Sequence, residues 1–305
     1  GPYRLADWTP RVSMTLELNH SYAFANPAPA KVSVKFSESE ESGLTWWNSG
    51  EVDIVSGLVP LPKVPTLRQE LGAQVVQVPL RSIFYLVLNN EKHNLSSTRI
   101  RSAMAAAIDR ERLTALLLAS GQEPSYSFSP SLYATTAAFE PKACLDPDDA
   151  PAPLPDSARD SLKGLELLCN SSETLKLILE FIQSNLLEKL KIESRISLLE
   201  WNTFREVVKS GKFDVARMSL TGGPDPIDMF DNFVTGHPNN YGKYSDQAYD
   251  ILLAKAHSFT TKKDRLEILE KAHANLCRNL PAIPVYSSSQ VYLVRQPLLS
   301  GFKPT

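Results

Sequence analysis

The sequence predicts an α/β fold in which sheets are layered against helices. Three observations carry that expectation. Strand-like and helix-like patterns alternate along nearly the whole of the 305 residues. The apolar strand Phe84-Tyr85-Leu86-Val87-Leu88-Asn89-Asn90 leads into an alanine-rich helix, Thr98-Arg99-Ile100-Arg101-Ser102-Ala103-Met104-Ala105-Ala106-Ala107-Ile108-Asp109-Arg110-Glu111. A continuous apolar run of that kind suits a strand buried on both faces. Finally, a chain of this length can bury a large core and suggests roughly two domains.

Taken in order, Lys31-Val32-Ser33-Val34-Lys35-Phe36-Ser37 alternates polar and apolar, as a half-buried strand does. Short strands are expected at Asp53-Ile54-Val55 and Val75-Val76-Gln77-Val78, around a helix at 64–71. The helix after Ser97 opens with good caps, keeps apolar residues at helical spacing and stops before Gly121. From 124 to 160 the chain turns irregular; the proline-rich run 146–155 cannot continue a helix or fill a central strand. A second α/β run follows, with strands at 165–169, 192–199 and 213–220 and helices at 173–189 and 201–210. Two long helices, 245–258 and 262–279, carry apolar stripes that read as core. The last strand-like segments, 282–286 and 290–294, are interrupted by serines.

Composition excludes several classes. The chain is 43% hydrophobic and 22% charged, and no window approaches the ~18–20 apolar residues of a membrane helix. Its first residues, Gly1-Pro2-Tyr3-Arg4, lack the apolar core of a signal peptide. A net charge of −2 gives no electrostatic case for nucleic acid. The cysteines Cys144, Cys169 and Cys277 lack CxxC spacing, so no zinc site is expected; they read as free thiols, with one disulfide at most. The histidines are scattered, and His257 and His273 stand sixteen residues apart on helices, which is no ligand pair. There is no GxSxG, HExxH, Walker loop or GxGxxG. No cofactor and no catalytic residue is expected.

The strand and helix at 84–111 also resemble the "lN … vRqAlsyAIDRe" segment of the extracytoplasmic solute-binding proteins of peptide/nickel importers. Further pieces follow in the family's order. They are Gly1-Pro2-Tyr3-Arg4-Leu5 with Asp7-Trp8, Leu16-Glu17-Leu18-Asn19, and Ser49-Gly50-Glu51-Val52-Asp53-Ile54. Later come Glu200-Trp201-Asn202-Thr203-Phe204, Phe213-Asp214-Val215-Ala216-Arg217, Asn239-Asn240-Tyr241 and Tyr249-Asp250-Ile251-Leu252-Leu253. Arg265, Pro281-Ala282-Ile283-Pro284-Val285-Tyr286 and Gly301-Phe302 close the series. The resemblance implies a type II periplasmic-binding-protein fold, two lobes with mixed sheets flanked by helices and a hinge between them. It assigns 1–81 to part of lobe 1, 82–287 to lobe 2 and 288–305 to a return to lobe 1. Family members are longer, so the chain reads as a fragment or a reduced member lacking the N-terminal part; Gly1-Pro2 is also what a protease scar before Tyr3 would leave.

The resemblance implies capture of peptides or peptide-like ligands by hinge closure and delivery to the membrane permease of an ABC importer. It also implies a monomer in the periplasm or at the cell surface, lipid-anchored in the full-length form where an anchor is present. The alternative is the ligand-sensing effector domain of a transcription regulator with the same fold. An enzyme would need a nucleophile–base pair that the sequence does not offer.

Arg217 falls where oligopeptide binders present an arginine to a ligand carboxylate, a contact suited to a bidentate guanidinium; a structural ion pair is the other reading. Trp201 and Tyr85 match aromatics that line the cleft, with core packing as the alternative, and Arg81 and Tyr286 lie near the expected crossings. The segment Leu220-Thr221-Gly222-Gly223 departs from the family: leucine replaces a tryptophan, and glycine stands where an aspartate pairs with the ligand's amino group. Asp225, or Asp228, is the substitute anchor, unless the ligand lacks a free amino terminus. Asp109 and Arg110 read as a structural charge pair.

Overall fold

The polar–apolar alternation near the start of the chain builds a small antiparallel sheet in the computed structural model, which describes residues 1–23, 29–118, 120–148, 150–258 and 261–296. Its strands are β1 (Tyr3–Thr9), β2 (Ser13–Leu18) and β3 (Lys31–Lys35), in the order β1-β2-β3. The expected Gly301-Phe302 segment lies outside the described residues.

Two compact units divide the chain: Gly1–Val76 with Val291–Thr305, and Gln77–Gln290. The sequence places these changeovers at 81/82 and 287/288. The units change at 76/77 and 290/291, within two single long strands, β5 (Val75–Leu88) and β10 (Ala282–Val294). Pro79 lacks an N–H but stands exposed, so β5 continues through it. The serines at 287–289 likewise do not interrupt β10.

In the first unit, β4 (Ile54–Ser56) pairs antiparallel with the end of β10, Tyr292 opposite Ser56. Trp47, Val55, Val59, Val64, Val291 and Leu293 form its core. Helix Glu40–Asn48 packs so closely that a Cβ on Gly43 would lie 2.3 Å from the Leu58 carbonyl oxygen. The Arg295 guanidinium covers the Trp47 ring at 4.4 Å, a cation–π contact.

The second unit carries β5, β6 (Glu123–Pro124), β7 (Leu165–Asn170), β8 (Ser194–Leu199), β9 (Val215–Thr221) and β10, in the order β10-β5-β9-β7-β8 with β6 beside β10. β7 runs parallel to β8 and β9, while β5 and β9 are antiparallel. Ile83–Leu88 are all buried, as the apolar run predicts. Each such large side chain contributes about 1.5–3 kcal/mol on leaving water.

The helix after Ser97 ends at Ala107, short of the expected length. Ile108 is extended, and Asp109 caps a new turn by accepting from the Arg112 N–H. Asp109 and Arg110 are therefore not a charge pair. Arg110 is 1% exposed and donates to the carbonyls of Ala105, Ile108, Ser125 and Pro284. Arg101 is also buried and donates to the carbonyls of Leu95, Ser96, Asn279 and Leu280. It thereby satisfies carbonyls at the C-terminal end of helix Lys262–Asn279. Burial lowers both guanidinium pKa values, that of Arg110 to about 10.

The free-thiol reading holds for Cys169 alone, which is buried. Cys144 and Cys277 form a disulfide across 133 residues, a separation at which spacing says nothing about pairing. Closing a loop of that length is worth roughly 2–5 kcal/mol.

Candidate functional site

The register of β5 against β9 decides which predicted residues can meet. Ser82 lies opposite Thr221, Ile83 opposite Leu220, Tyr85 opposite Met218 and Leu86 opposite Arg217. The Gly222 N–H donates to the Arg81 carbonyl at 2.9 Å, which extends the pairing by one residue. Successive side chains alternate between faces, and directly opposed residues share one. Arg217 and Thr221 therefore lie on one face with Ser82 and Phe84, whereas Arg81, Tyr85, Leu220 and Gly222 lie on the other.

On the first face Arg217 is partly buried beneath two aromatic rings. Its guanidinium carbon lies 5.9 Å from the Trp201 ring centre and 5.5 Å from that of Phe204. Nη2 donates to Asn170 Oδ1, and buried Nε has no partner. Desolvation lowers the Arg217 pKa, opposed by Cys169 and Tyr286 nearby. Tyr286 itself is buried and stacks on Phe84 at 4.7 Å between ring centres. Trp201 is 48% exposed, so its ring is open to solvent on one side. Helix Trp201–Lys209 opens with Glu200, whose carboxylate accepts from the Asn202 and Thr203 N–H groups. That cap fixes the start of the helix and with it the position of Trp201.

On the second face Tyr85 and Leu220 are core residues, Tyr85 meeting Phe233 edge-on at 6.5 Å. Desolvation raises the Tyr85 pKa. Arg81 Nε is buried and without a partner. Near it, Tyr133 donates its hydroxyl to the Gly223 carbonyl at 2.8 Å. Desolvation, and behind it the charge of Asp228, push the Tyr133 pKa up to about 12. A Cβ on Gly222 would lie 2.2 Å from that hydroxyl and 2.8 Å from Met229. The Tyr133 hydroxyl thus occupies the space a side chain at 222 would need. A Cβ on Gly223 would lie 2.3 Å from Asp228 Oδ2, the atom that accepts the Gly223 N–H.

Asp225 is already engaged. Its Oδ2 lies 2.7 Å from Arg265 Nη2 and its Oδ1 accepts from the Ile227 N–H. Thr221 donates to Ser82 Oγ at 3.0 Å. The structure brings Arg217, Trp201 and Tyr286 together and places Arg81, Gly222, Gly223 and Asp225 in a separate neighbourhood.

A family model for the middle region of bacterial extracellular solute-binding proteins, family 5, matches residues 1–241. The chain belongs to that family. Over 99% of its length it is 25% identical to the periplasmic oligopeptide-binding protein OppA of Salmonella typhimurium, and over 93% it is 25% identical to the periplasmic murein peptide-binding protein MppA of Escherichia coli. It spans only 57% and 54% of those relatives' lengths. Among solved structures, Escherichia coli MppA superposes with a TM-score of 0.84 at 24% identity, and Haemophilus influenzae OppA, in complex with the peptide RPPGFSPFR, with 0.82 at 22%. Each covers 97% of this chain and 60% of the neighbour. The type II periplasmic-binding-protein fold is thereby established for this family member.

Sequence reasoning missed Asn170, Phe204 and Tyr133. Asn170 ends a strand with parallel neighbours, the position where α/β sheets present polar groups to ligands, and that signal was available. Phe204 follows Trp201 by three residues and shares its helix face. Tyr133 sits in the irregular stretch, where no pattern marks it. In the first unit a cleft of about 620 Å³ is lined by residues of β3 and β4 with Trp46 and Glu51, and by none of the predicted site residues.

Proposed function

We propose that this chain is the principal binding body of a solute-binding protein that captures peptides or peptide-like ligands outside the cytoplasmic membrane and delivers them to the permease of an ABC importer. The observation that carries the reading is Arg217. A guanidinium with a buried, unpartnered Nε, one Nη on a neutral amide and two aromatic rings beside it is poised for an anion that none of the described residues supplies. A ligand carboxylate matches that donor geometry, and the exposed Trp201 ring offers a flat apolar wall beside it.

Asp225 serves as an amine anchor only by giving up Arg265, so the ligand's amino end is not its principal handle. The proposed setting is the periplasm or cell surface, with lipid anchoring a property of a full-length form that carries one, and the proposed state is monomeric.

Native mass spectrometry of the protein purified without denaturation tests this. Co-purified mass fitting a short peptide, lost in Arg217→Ala, is the expected result. A folded protein that stays empty after incubation with a mixed peptide pool would contradict it.

A further inference from the structure

Cys144, His273 and Cys277 converge although the sequence separates the outer two by 133 residues. Their ligand atoms all lie within 4.8 Å of one another. His273 and Cys277 are one turn apart on helix Lys262–Asn279, and Cys144 reaches them from the irregular stretch. Nε2 of His273 is 3.7 Å from Cys277 Sγ and 3.8 Å from Cys144 Sγ. A tetrahedral zinc site, with Zn–S ~2.3 Å and Zn–N ~2.0–2.1 Å, sets sulfur and nitrogen ~3.5 Å apart. The nitrogen–sulfur spacings already match, and only the two sulfurs must separate.

We propose that reducing the Cys144–Cys277 disulfide creates a site for a thiophilic divalent cation such as Zn²⁺, held by both sulfurs and His273, so that disulfide and metal are alternative occupants of one place.

The chemistry balances with a dithiol as reductant. It gives two electrons and two protons to the Cys144–Cys277 bond, leaving two thiols, and itself becomes a disulfide. Each thiol then releases a proton as the cation binds. Ligation through Nε2, the nitrogen near both sulfurs, leaves the ring proton on Nδ1 and releases the contact with Ser127 Oγ, 2.9 Å in the disulfide form. The Phe128 N–H, which Nε2 accepts at 3.2 Å in the disulfide form, is given up in exchange. The rings of Phe128 and Phe230, 6.2 and 6.1 Å away, form an apolar wall. A cleft of about 480 Å³, lined by Glu140, Glu270, His273 and Cys277 among others, offers the route by which an ion would reach the site. Burial also keeps the imidazole neutral, its pKa pushed down to about 4, the state a metal requires.

Cobalt titration of the intact chain tests the site. Protein reduced by an immobilised phosphine should bind one equivalent of Co²⁺ with thiolate-to-cobalt charge-transfer absorption, and Zn²⁺ should displace it. The oxidised protein should show no such absorption. Cys169→Ser should keep the signal, Cys144→Ser should weaken Co²⁺ binding at least tenfold, and the Cys144→Ser/Cys277→Ser double variant should lose the signal. His273→Asn should weaken binding at least tenfold while keeping the charge transfer. If that buried variant fails to fold, the half-buried Cys144→Ser decides. Reduced wild-type protein that keeps its circular dichroism but shows no charge transfer would overturn the proposal. So would the same signal in the double cysteine variant, or equal binding by the oxidised form.

Discussion

Arg101 and Arg110 on one side, and Arg81 and Arg217 on the other, are arginines of the same unit with buried donors and opposite fates. The first two spend their donors on backbone carbonyls, including those that end a helix and that of Pro284 in β10. In the second two, a buried Nε has nothing to bond. A guanidinium taken from water and fully paired is part of the scaffold; one left with a spare donor carries an unmet cost. The difference teaches where to look for a ligand. Arg265 shares the orphaned Nε but has Asp225 on Nη2, which places it between the two classes.

The largest effect should come from Arg110→Met, which leaves carbonyls of Ser125, Ile108 and Pro284 without their donor. With about 1–3 kcal/mol for each buried carbonyl left without a donor, urea unfolding should show a loss of roughly 3–5 kcal/mol. A loss below 1 kcal/mol would remove Arg110 from the scaffold class.

His273 extends the same logic to a group buried in its neutral form. Its pKa falls from the ordinary 6.5 to about 4. Between those values the unfolded chain takes up a proton that the folded chain does not, so stability falls as pH drops from 6.5 toward 4. The full loss is about 3 kcal/mol. Denaturation midpoints at pH 7, 5.5 and 4.5 would register it, and the pH dependence should shrink in His273→Asn.

Arg217→Ala should cost about 1.5–3 kcal/mol in peptide affinity, read by calorimetry, while leaving the unfolding midpoint nearly unchanged. Equal losses in binding and stability would move Arg217 into the scaffold class. Smaller again is the amino end. Acetylating a peptide's N-terminus should change wild-type affinity less than twofold, and Arg265→Ala should introduce a preference for the free amine by releasing Asp225. Trp201→Ala falls between these two, with about 0.5–1 kcal/mol lost from ligand binding.

Much of the fold was legible because it depends on period and on local breakers. Helices 64–71 and 262–279 have the expected bounds, and the strands of the second α/β run fall within two residues of their expected starts. Continuity was not legible. Val75–Val78 and the apolar run from Phe84 read as separate strands, and the serines at 287–289 as an interruption, yet β5 and β10 are each one continuous strand. For the site, the sequence singled out Arg217 and Trp201, which do meet. It grouped Arg81, Tyr85 and Leu220 with them, although strand alternation sends those three to the opposite face. Register is a property of pairing between distant segments, so no single stretch discloses it. The same reason hid the convergence of Cys144 with His273 and Cys277.

The most direct measurement compares tri-alanine with its C-terminal amide by calorimetry on the wild type and on Arg217→Gln. Wild-type protein should bind the free acid at least tenfold more tightly than the amide, and Arg217→Gln should bind both alike. An acid preference that survives Arg217→Gln undiminished would contradict Arg217 as the carboxylate anchor.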